Sequence, residues 1–240
     1  MALEIKNLRY TYKAGTKEEK QAIRGIDLSI ENGSFVVVSG SNGSGKTTLA
    51  KLLNGLLKPT QGSITADGKA VDAKTVGILF QVPENQLFEA TVLDDVMFGP
   101  VNFGRTREQA REDAVKALKS VGIPESLYSR DPFRLSDGQK RLVALAGVLA
   151  SGCRILVLDE IAAGLDWQAQ QRVFAILKNL QKQGMTVIVI SHNGEHAVRY
   201  ADRYVCLKDG LVDENAVAHT PVELFASRFS DQIASLIQTS

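Results

Sequence analysis

The pattern of hydrophobic residues at the start of the chain predicts strands followed by a helix. Apolar and polar residues alternate over 3–12, and further apolar stretches follow at 22–30 and 35–39. The last stretch contains three consecutive valines, which is typical of a parallel strand buried on both faces. The leucines that come next recur at helical spacing: Leu49, Leu52, Leu53 and Leu56.

The middle of the chain has a helical pattern. Residues 107–121 place apolar side chains on one face and charges on the other, and residues 142–149 form a more apolar helix. A further helix is predicted over 167–183 with Gly184 as its C-cap, and another after Pro221. The remaining predicted strands are 64–66, 76–80, 154–158, 186–190 and 204–207. This order predicts a strand-rich α/β core interrupted by a helical insert.

Composition narrows the class of protein without naming its chemistry. The 240 residues are 44% hydrophobic and 23% charged with a net charge of +1, which excludes a disordered chain and gives no electrostatic footprint for nucleic acid. No apolar run approaches the roughly 20 residues that span a bilayer, and the N-terminus has no signal-peptide core. Cys153 and Cys206 lie in apolar surroundings, which suits a reducing cytoplasm. We therefore expect a chain that is neither membrane-spanning nor exported.

The loop between the valine strand and the leucine helix carries a phosphate-binding pattern. It reads Gly40-Ser-Asn-Gly-Ser-Gly45-Lys46-Thr47, and its glycines allow the backbone to wrap phosphate oxygens at the start of a helix. Lys46 is expected to reach the β- and γ-phosphates, and the Thr47 hydroxyl to bind Mg²⁺. A chance glycine-rich turn is the alternative, and the flanking strand and helix argue against it.

Two carboxylates end the strand predicted at 154–158. Asp159 is placed to hold the Mg²⁺ shell, and Glu160 to orient or deprotonate a water molecule. Two solvated acids at a strand end are the alternative, which the nearby phosphate loop makes less attractive.

The segment Leu135-Ser136-Asp137-Gly138-Gln139 opens the helix that contains 142–149. Alone, it is an ordinary helix start with Ser136 or Asp137 as N-cap. Together with the phosphate loop and the paired carboxylates, it resembles the signature sequence of ATP-binding cassette (ABC) proteins. The resemblance covers roughly residues 3–212.

This resemblance implies an α/β fold: a P-loop NTPase (RecA-like) core with an N-terminal antiparallel β subdomain and a helical insert. We expect residues 1–81 and 151–220 to form the nucleotide-binding core. Residues 82–150 would form the helical subdomain, and 221–240 a C-terminal helical tail.

The resemblance also implies roles for single residues. Tyr12 matches the family's aromatic residue that stacks on adenine, and Gln81 matches the glutamine that senses Mg²⁺ and the γ-phosphate. Asp166 matches the aspartate that contacts the facing subunit. His192 matches the histidine that forms a hydrogen bond with the γ-phosphate. His196 and His219 match nothing and are interpreted as surface or helix residues. The expected catalytic residues are Glu160, His192, Gln81 and Lys46. The expected ATP contacts are Tyr12, Gly40, Ser41, Asn42, Gly43, Ser44, Gly45, Lys46, Thr47, Thr48, Ser136, Gly138, Gln139 and Asp166. The expected Mg²⁺ ligands are Thr47, Gln81 and Asp159.

The partners follow from the same resemblance. In this family each ATP lies between the phosphate loop of one cassette and the signature helix of another, so a second ATPase subunit, identical or paralogous, is expected. Residues 81–88 and the segments after them resemble the ATPases of energy-coupling factor transporters, which include cobalt and nickel uptake ATPases. There, this region meets a membrane subunit, and we expect apolar contact through Leu87 and Phe88. The implied function is the motor of an importer for a metal ion or vitamin, at the cytoplasmic face of the membrane.

Two residues depart from the family pattern. Asp137 replaces the second glycine of the usual signature, and its carboxylate would repel a γ-phosphate unless it points outward or pairs with a cation. Ile161 stands where proline is usual after the catalytic glutamate, which predicts a less rigid loop. The alternatives to a transporter motor are a soluble cassette ATPase acting in translation or DNA repair, a phosphate-loop kinase, and a binding-only module.

Overall fold

The computed structural model describes residues 3–192 and 195–213. The predicted helix after Pro221, the tail at 221–240 and His219 lie outside the described residues, as does the side chain of His196. Among the described residues, no helix has both the length and the apolar content needed to cross a membrane.

The N-terminal part forms an antiparallel sheet with the order β2-β1-β4-β5. Its strands are β1 (Leu3–Tyr12), β2 (Lys20–Ile30), β4 (Gln61–Ala66) and β5 (Lys69–Ala70). The apolar residues of the alternating pattern in β1 point inward, and Leu3, Ile5 and Leu8 are buried. This sheet is the predicted antiparallel subdomain.

The central sheet has the order β10-β9-β3-β8-β7-β6 within the described residues. It consists of β3 (Phe35–Gly40), β6 (Val76–Leu79), β7 (Ile155–Asp159), β8 (Thr186–Ile190), β9 (Arg203–Lys208) and β10 (Leu211–Val212). All neighbouring pairs are parallel except β9 and β10. Val37 packs in one hydrophobic core, and Val36 and Val38 pack in another on the opposite side of the sheet. The three valines are therefore buried on both faces, as predicted.

The helical insert packs against one of these cores. Its helices are α2 (Val92–Asn102), α3 (Arg107–Ser120) and α4 (Asp137–Ala150). Capping boxes begin α3 at Thr106 and α4 at Ser136. Helix α4 thus begins in the segment 135–139, as predicted, with Ser136 as its N-cap, and it contains the predicted apolar stretch 142–149. Short 3₁₀ turns occur at Pro83–Gln86, Glu125–Leu127 and Pro132–Arg134.

The other helices are α1 (Lys46–Leu53), α5 (Trp167–Lys182) and the short α6 (Glu195–Val198). Leu56 was expected on the apolar face of α1, and this was wrong: α1 ends at Leu53, and Leu56 is 58% exposed. Gly55 has a φ of +84°, which turns the chain away from the helix axis. Helix α5 has Gln183 as its C-cap, and the predicted Gly184 follows it with a φ of +97°.

The predicted fold class is confirmed: a P-loop core with an N-terminal antiparallel sheet and a helical insert. The division at residues 81, 150 and 220 stays a prediction. Parallel strands place their carboxyl ends at one edge of the sheet, and ligands of such sheets bind there. Strands β3, β6, β7 and β8 end at this edge in Gly40, Leu79, Asp159 and Ile190, each of which is a predicted site residue or lies within two residues of one.

Candidate nucleotide site

The phosphate loop connects the end of β3 to the start of α1. Gly40 has a φ of +150°, and a Cβ added there would lie 2.2 Å from the Leu207 carbonyl oxygen. Gly45 has a φ of +105°, and its Cβ would lie 2.7 Å from the Ala22 carbonyl oxygen. No side chain fits at these two positions, so glycine is required by both conformation and space.

Lys46 is the first residue of α1 and is only 8% exposed. Its Nζ donates hydrogen bonds to the carbonyl oxygens of Gly40, at 2.7 Å, and Ser41, at 2.9 Å. The ammonium group is therefore held over the loop at the positive end of a helix. This position is suited to an anionic ligand.

Asp159 is the last residue of β7 and is 3% exposed. Burial raises the pKa of its carboxyl, while a hydrogen bond with the Thr47 side chain and the charge of Lys46 oppose that shift. A buried carboxylate beside a hydroxyl offers oxygen donors, which are the ligands that Mg²⁺ prefers. The residues present therefore fit a Mg²⁺ ion that is bound together with nucleotide phosphates.

Glu160 joins two loops at the edge of the central sheet. Its backbone N–H donates to the Ile190 carbonyl oxygen at 2.9 Å, and its carboxylate accepts a hydrogen bond from the His192 backbone N–H. Its φ of +56° is unusual for a residue other than glycine. The carboxylate is thus held by the loop after β8 while its own backbone turns sharply.

A groove of about 520 Å³ runs along the phosphate loop. Of the predicted site residues, it is lined by Tyr12, Asn42, Gly43, Gly45, Lys46, Thr47, Thr48, Gln81, Asp159 and Glu160. Oxygen atoms of the Tyr12 and Thr48 hydroxyls lie 3.2 Å apart, so β1 and α1 meet at one end of the groove. The structure therefore brings together side chains from four separate stretches of the chain.

Other predicted residues lie outside this lining. Gly40, Ser41 and Ser44 belong to the phosphate loop but do not line the groove, and Ser44 is 2% exposed. The signature residues Ser136, Gly138 and Gln139 do not line the groove, nor do Asp166 and His192. Asp166 is the N-cap of α5 and accepts a hydrogen bond from the Ala169 N–H at 2.8 Å. Their roles, like those of the other site residues, stay predictions.

Four lining residues were missed in the sequence: Lys13, Glu18, Lys20 and Ala22. They lie in and just after the β1–β2 turn, where Lys20 pairs with Tyr12 across the two strands. The sequence contained a signal for Lys20, because a hairpin that places Tyr12 beside a ligand also places its cross-strand neighbour there.

The carboxylate of Asp137 points outward. Its side chain is 83% exposed and lies 3.4 Å from the ammonium group of Lys140, one helical turn later. The structure thus has both features that were expected to relieve repulsion of a phosphate.

Of the two apolar residues expected to contact a membrane subunit, Leu87 and Phe88, one is buried and one is exposed. Leu87 is 4% exposed and belongs to the core, so its expected contact with a partner was wrong. Phe88 is 55% exposed and packs edge-to-face on Phe98, with ring centroids 4.6 Å apart. The buried Asp95 carboxylate accepts hydrogen bonds from the N–H groups of Phe88 and Glu89, at 2.8 and 2.9 Å. These bonds fix the backbone of the exposed segment to α2.

Comparison with known proteins gives a consistent result. Residues 23–163 match the family model described as ABC transporter. The energy-coupling factor transporter ATP-binding protein EcfA2 of Lactobacillus johnsonii is 46% identical over 95% of this chain and 82% of that protein. The protein of the same name from Bacillus licheniformis is 44% identical over 98% of this chain and 84% of that protein.

Solved structures of ABC transporter cassettes also resemble this chain. CbiO1 from Clostridium perfringens, described as part of the ABC transporter complex CbiONQ, has a TM-score of 0.84 and 36% identity, covering 98% of this chain and 94% of that chain. The cassette MJ0796, in a dimeric post-hydrolysis state bound to ADP and Pi, has a TM-score of 0.78 and 30% identity over 90% of this chain and 98% of that chain. The chain therefore belongs to the ATP-binding subunits of ABC transporters, as an ATPase of the energy-coupling factor type.

Proposed function

We propose that this ATPase works as one of two facing cassettes, each completing the nucleotide site of the other. One observation carries the proposal: the described groove is lined by the phosphate loop, Asp159 and Glu160, but by no residue of the signature segment 135–139. Ser136 and Asp137 are instead exposed at the start of α4. A helix N-terminus offers N–H donors to an anion, so this end is suited to the γ-phosphate of an ATP held by a partner cassette.

Within its own groove, the chain would bind Mg-ATP through three side chains. Lys46 would exchange its two carbonyl acceptors for phosphate oxygens, and the Thr47 hydroxyl and Asp159 carboxylate would hold the Mg²⁺. When bound, the ion neutralises charge that develops on the transferred phosphoryl group. Tyr12 closes the other end of the groove, where an adenine ring would stack.

Glu160 would act on the attacking water. The His192 N–H holds its carboxylate at the edge of the groove, where it can accept a proton or orient the water. Gln81 lines the same groove from the end of β6, which suits a residue that contacts the phosphate or Mg²⁺ shell.

The exposed pair Phe88 and Phe98 would dock on an integral membrane subunit at the cytoplasmic face of the membrane. Support comes from their exposure, from the backbone fixed by Asp95, and from CbiO1, which is part of a transporter complex. Dimer closure on ATP would then be transmitted to the transporter through α2. The cargo would be selected by the membrane subunit.

Subunit complementation tests the shared site. Lys46→Ala damages the phosphate loop, and Gly138→Asp damages the signature; at Gly138 an added Cβ meets no atom within 4 Å, so this subunit should fold normally. Each variant alone should be inactive in Mg-ATP hydrolysis. A one-to-one mixture forms some dimers with one intact site, and should recover about a quarter of the wild-type rate if subunits pair at random. No recovery, at concentrations where the wild type hydrolyses ATP, would contradict shared sites.

A further inference from the structure

Arg141 is a buried cation in α4, five residues after Ser136. The residue is 7% exposed, and its Nη1 donates to the carbonyl oxygens of Ile161, at 2.8 Å, and Ala163, at 3.0 Å. These carbonyls belong to the loop between β7 and α5, which begins with Glu160. A charged group is rarely buried without specific partners, because its desolvation is costly. The helix that carries the signature is therefore bonded directly to the loop that carries the catalytic carboxylate.

Gln170 holds the same loop from α5. Its Nε2 donates to the Leu165 carbonyl oxygen at 2.9 Å and lies 3.4 Å from that of Ala162. The two side chains thus contact carbonyls at residues 161, 162, 163 and 165. The Ile161 side chain is 1% exposed and packs in the core. A loop expected to be less rigid without proline is fixed by these bonds and by burial.

We infer that Arg141 and Gln170 are positioning residues that set the loop 161–165 and, through it, Glu160 and Asp166. The inference rests on the proposed function, because the N-terminus of α4 must face the other cassette's ATP. Movement of α4 on that nucleotide would then be transmitted by the Arg141 guanidinium to the cassette's own Glu160. Neither residue lines the nucleotide groove, so neither is expected to bind ATP.

The test compares purified Arg141→Ala, Arg141→Lys and Gln170→Ala with the wild type in Mg-ATP hydrolysis. Arg111→Ala is the matched control, since Arg111 is exposed on α3 and away from the loop. We expect Arg141→Ala to lower kcat about tenfold or more, with the affinity for a fluorescent ATP analogue within about twofold of wild type. The lysine ammonium can also donate to carbonyls, but it lies closer to the helix backbone than Nη1 and lacks the planar guanidinium, so Arg141→Lys should fall between the wild type and Arg141→Ala.

A purely structural role gives a different result. Folded Arg141→Ala with wild-type kcat, or with kcat and nucleotide affinity lost together, overturns the inference. If Arg141→Ala does not fold, the half-buried Gln170→Ala and the conservative Arg141→Lys decide the question. Both must then lower kcat several-fold at unchanged ATP affinity, and wild-type values in both overturn it.

Glu160→Gln in the same assay separates the two proposals. Wild-type hydrolysis that does not depend on Glu160 removes the proposed role of Glu160 and this inference with it, whereas the shared site is tested by subunit complementation. Glu160-dependent hydrolysis that is insensitive to Arg141 and Gln170 removes only the inference.

Discussion

The carboxylate of Glu160 accepts a hydrogen bond from the backbone N–H of His192. The two residues follow the neighbouring parallel strands β7 and β8, so one bond joins the loop of the predicted catalytic base to that of the predicted γ-phosphate contact. Glu160 holds this position with a φ of +56°, a conformation that costs about 1–3 kcal/mol outside glycine. Such strain at the edge of the groove is consistent with a carboxylate placed for chemistry and not for stability.

Lys46→Ala should weaken nucleotide binding while leaving the fold intact. The ammonium group bonds only to loop carbonyls among the contacts described, and a bound phosphate would replace them. Charge-assisted hydrogen bonds to charged groups contribute about 1.5–3 kcal/mol each, so affinity for a fluorescent ATP analogue should fall at least about tenfold. Lys58→Ala, at an exposed position shortly after the same helix, is the matched control. Unchanged affinity in Lys46→Ala would contradict the assigned phosphate site.

Asp137→Gly and Asp137→Asn should leave the rate of Mg-ATP hydrolysis within about twofold of wild type, because the Asp137 carboxylate points outward and is paired with Lys140. Each removes a negative charge from the N-terminus of α4, and asparagine does so with little change in size. Lys140→Met should lower the rate, because it removes the cation 3.4 Å from the Asp137 carboxylate. Rates of purified dimers measure all three variants. A rise of several-fold in both Asp137 variants would show that the carboxylate still repels the phosphate despite its outward position and its pairing with Lys140.

Phe88→Ala should weaken attachment to the membrane subunit without changing hydrolysis by the isolated protein. Burial of a phenylalanine side chain contributes about 1.5–3 kcal/mol, so retention on detergent-solubilised membrane subunits should fall at least about tenfold. Leu211→Ala is the control, since Leu211 is 40% exposed on β10, at the sheet edge opposite β6. Equal loss in both variants, or none in Phe88→Ala, would exclude this docking surface.

The thiol of Cys153 should make stability fall at alkaline pH. Burial raises its pKa from 9.0 to about 11, so the unfolded chain releases this proton at a lower pH than the folded chain. The contribution is therefore complete below the unfolded pKa and is lost as the pH rises through the window between the two values. Denaturant unfolding of wild type and Cys153→Ala should show their stability difference shrinking by about 1 kcal/mol from about pH 8 to about pH 10. A constant difference would contradict a buried neutral thiol.

Much of the fold could be predicted because local patterns determined it. The valines of β3 indicated a strand covered on both sides, and the phosphate loop was correctly placed between that strand and α1. The start of α4 was also predictable, because Ser136 is a typical N-cap residue immediately before the helix. Leu56 was wrongly assigned to the apolar face of α1, because the spacing of the leucines does not reveal the turn at Gly55.

The parts that escaped prediction depend on contacts between distant residues. Leu87 and Phe88 are adjacent apolar residues that the sequence does not distinguish, but Leu87 is buried in the core and Phe88 is exposed. Arg141 appears as an ordinary charged residue of an amphipathic helix until the loop after β7 is packed against it. Lys13 and Glu18 reach the groove only through the geometry of the β1–β2 turn.

Glu160 is proposed to carry out hydrolysis of ATP bound on the phosphate loop, and phosphate release from Glu160→Gln tests this role most directly. Glu112→Gln, at an exposed site on α3, is the matched control. With saturating Mg-ATP, we expect Glu160→Gln to lose about 100-fold or more in kcat, the scale of a general base, while it still binds the nucleotide. Turnover of Glu160→Gln near the wild-type rate would contradict the account.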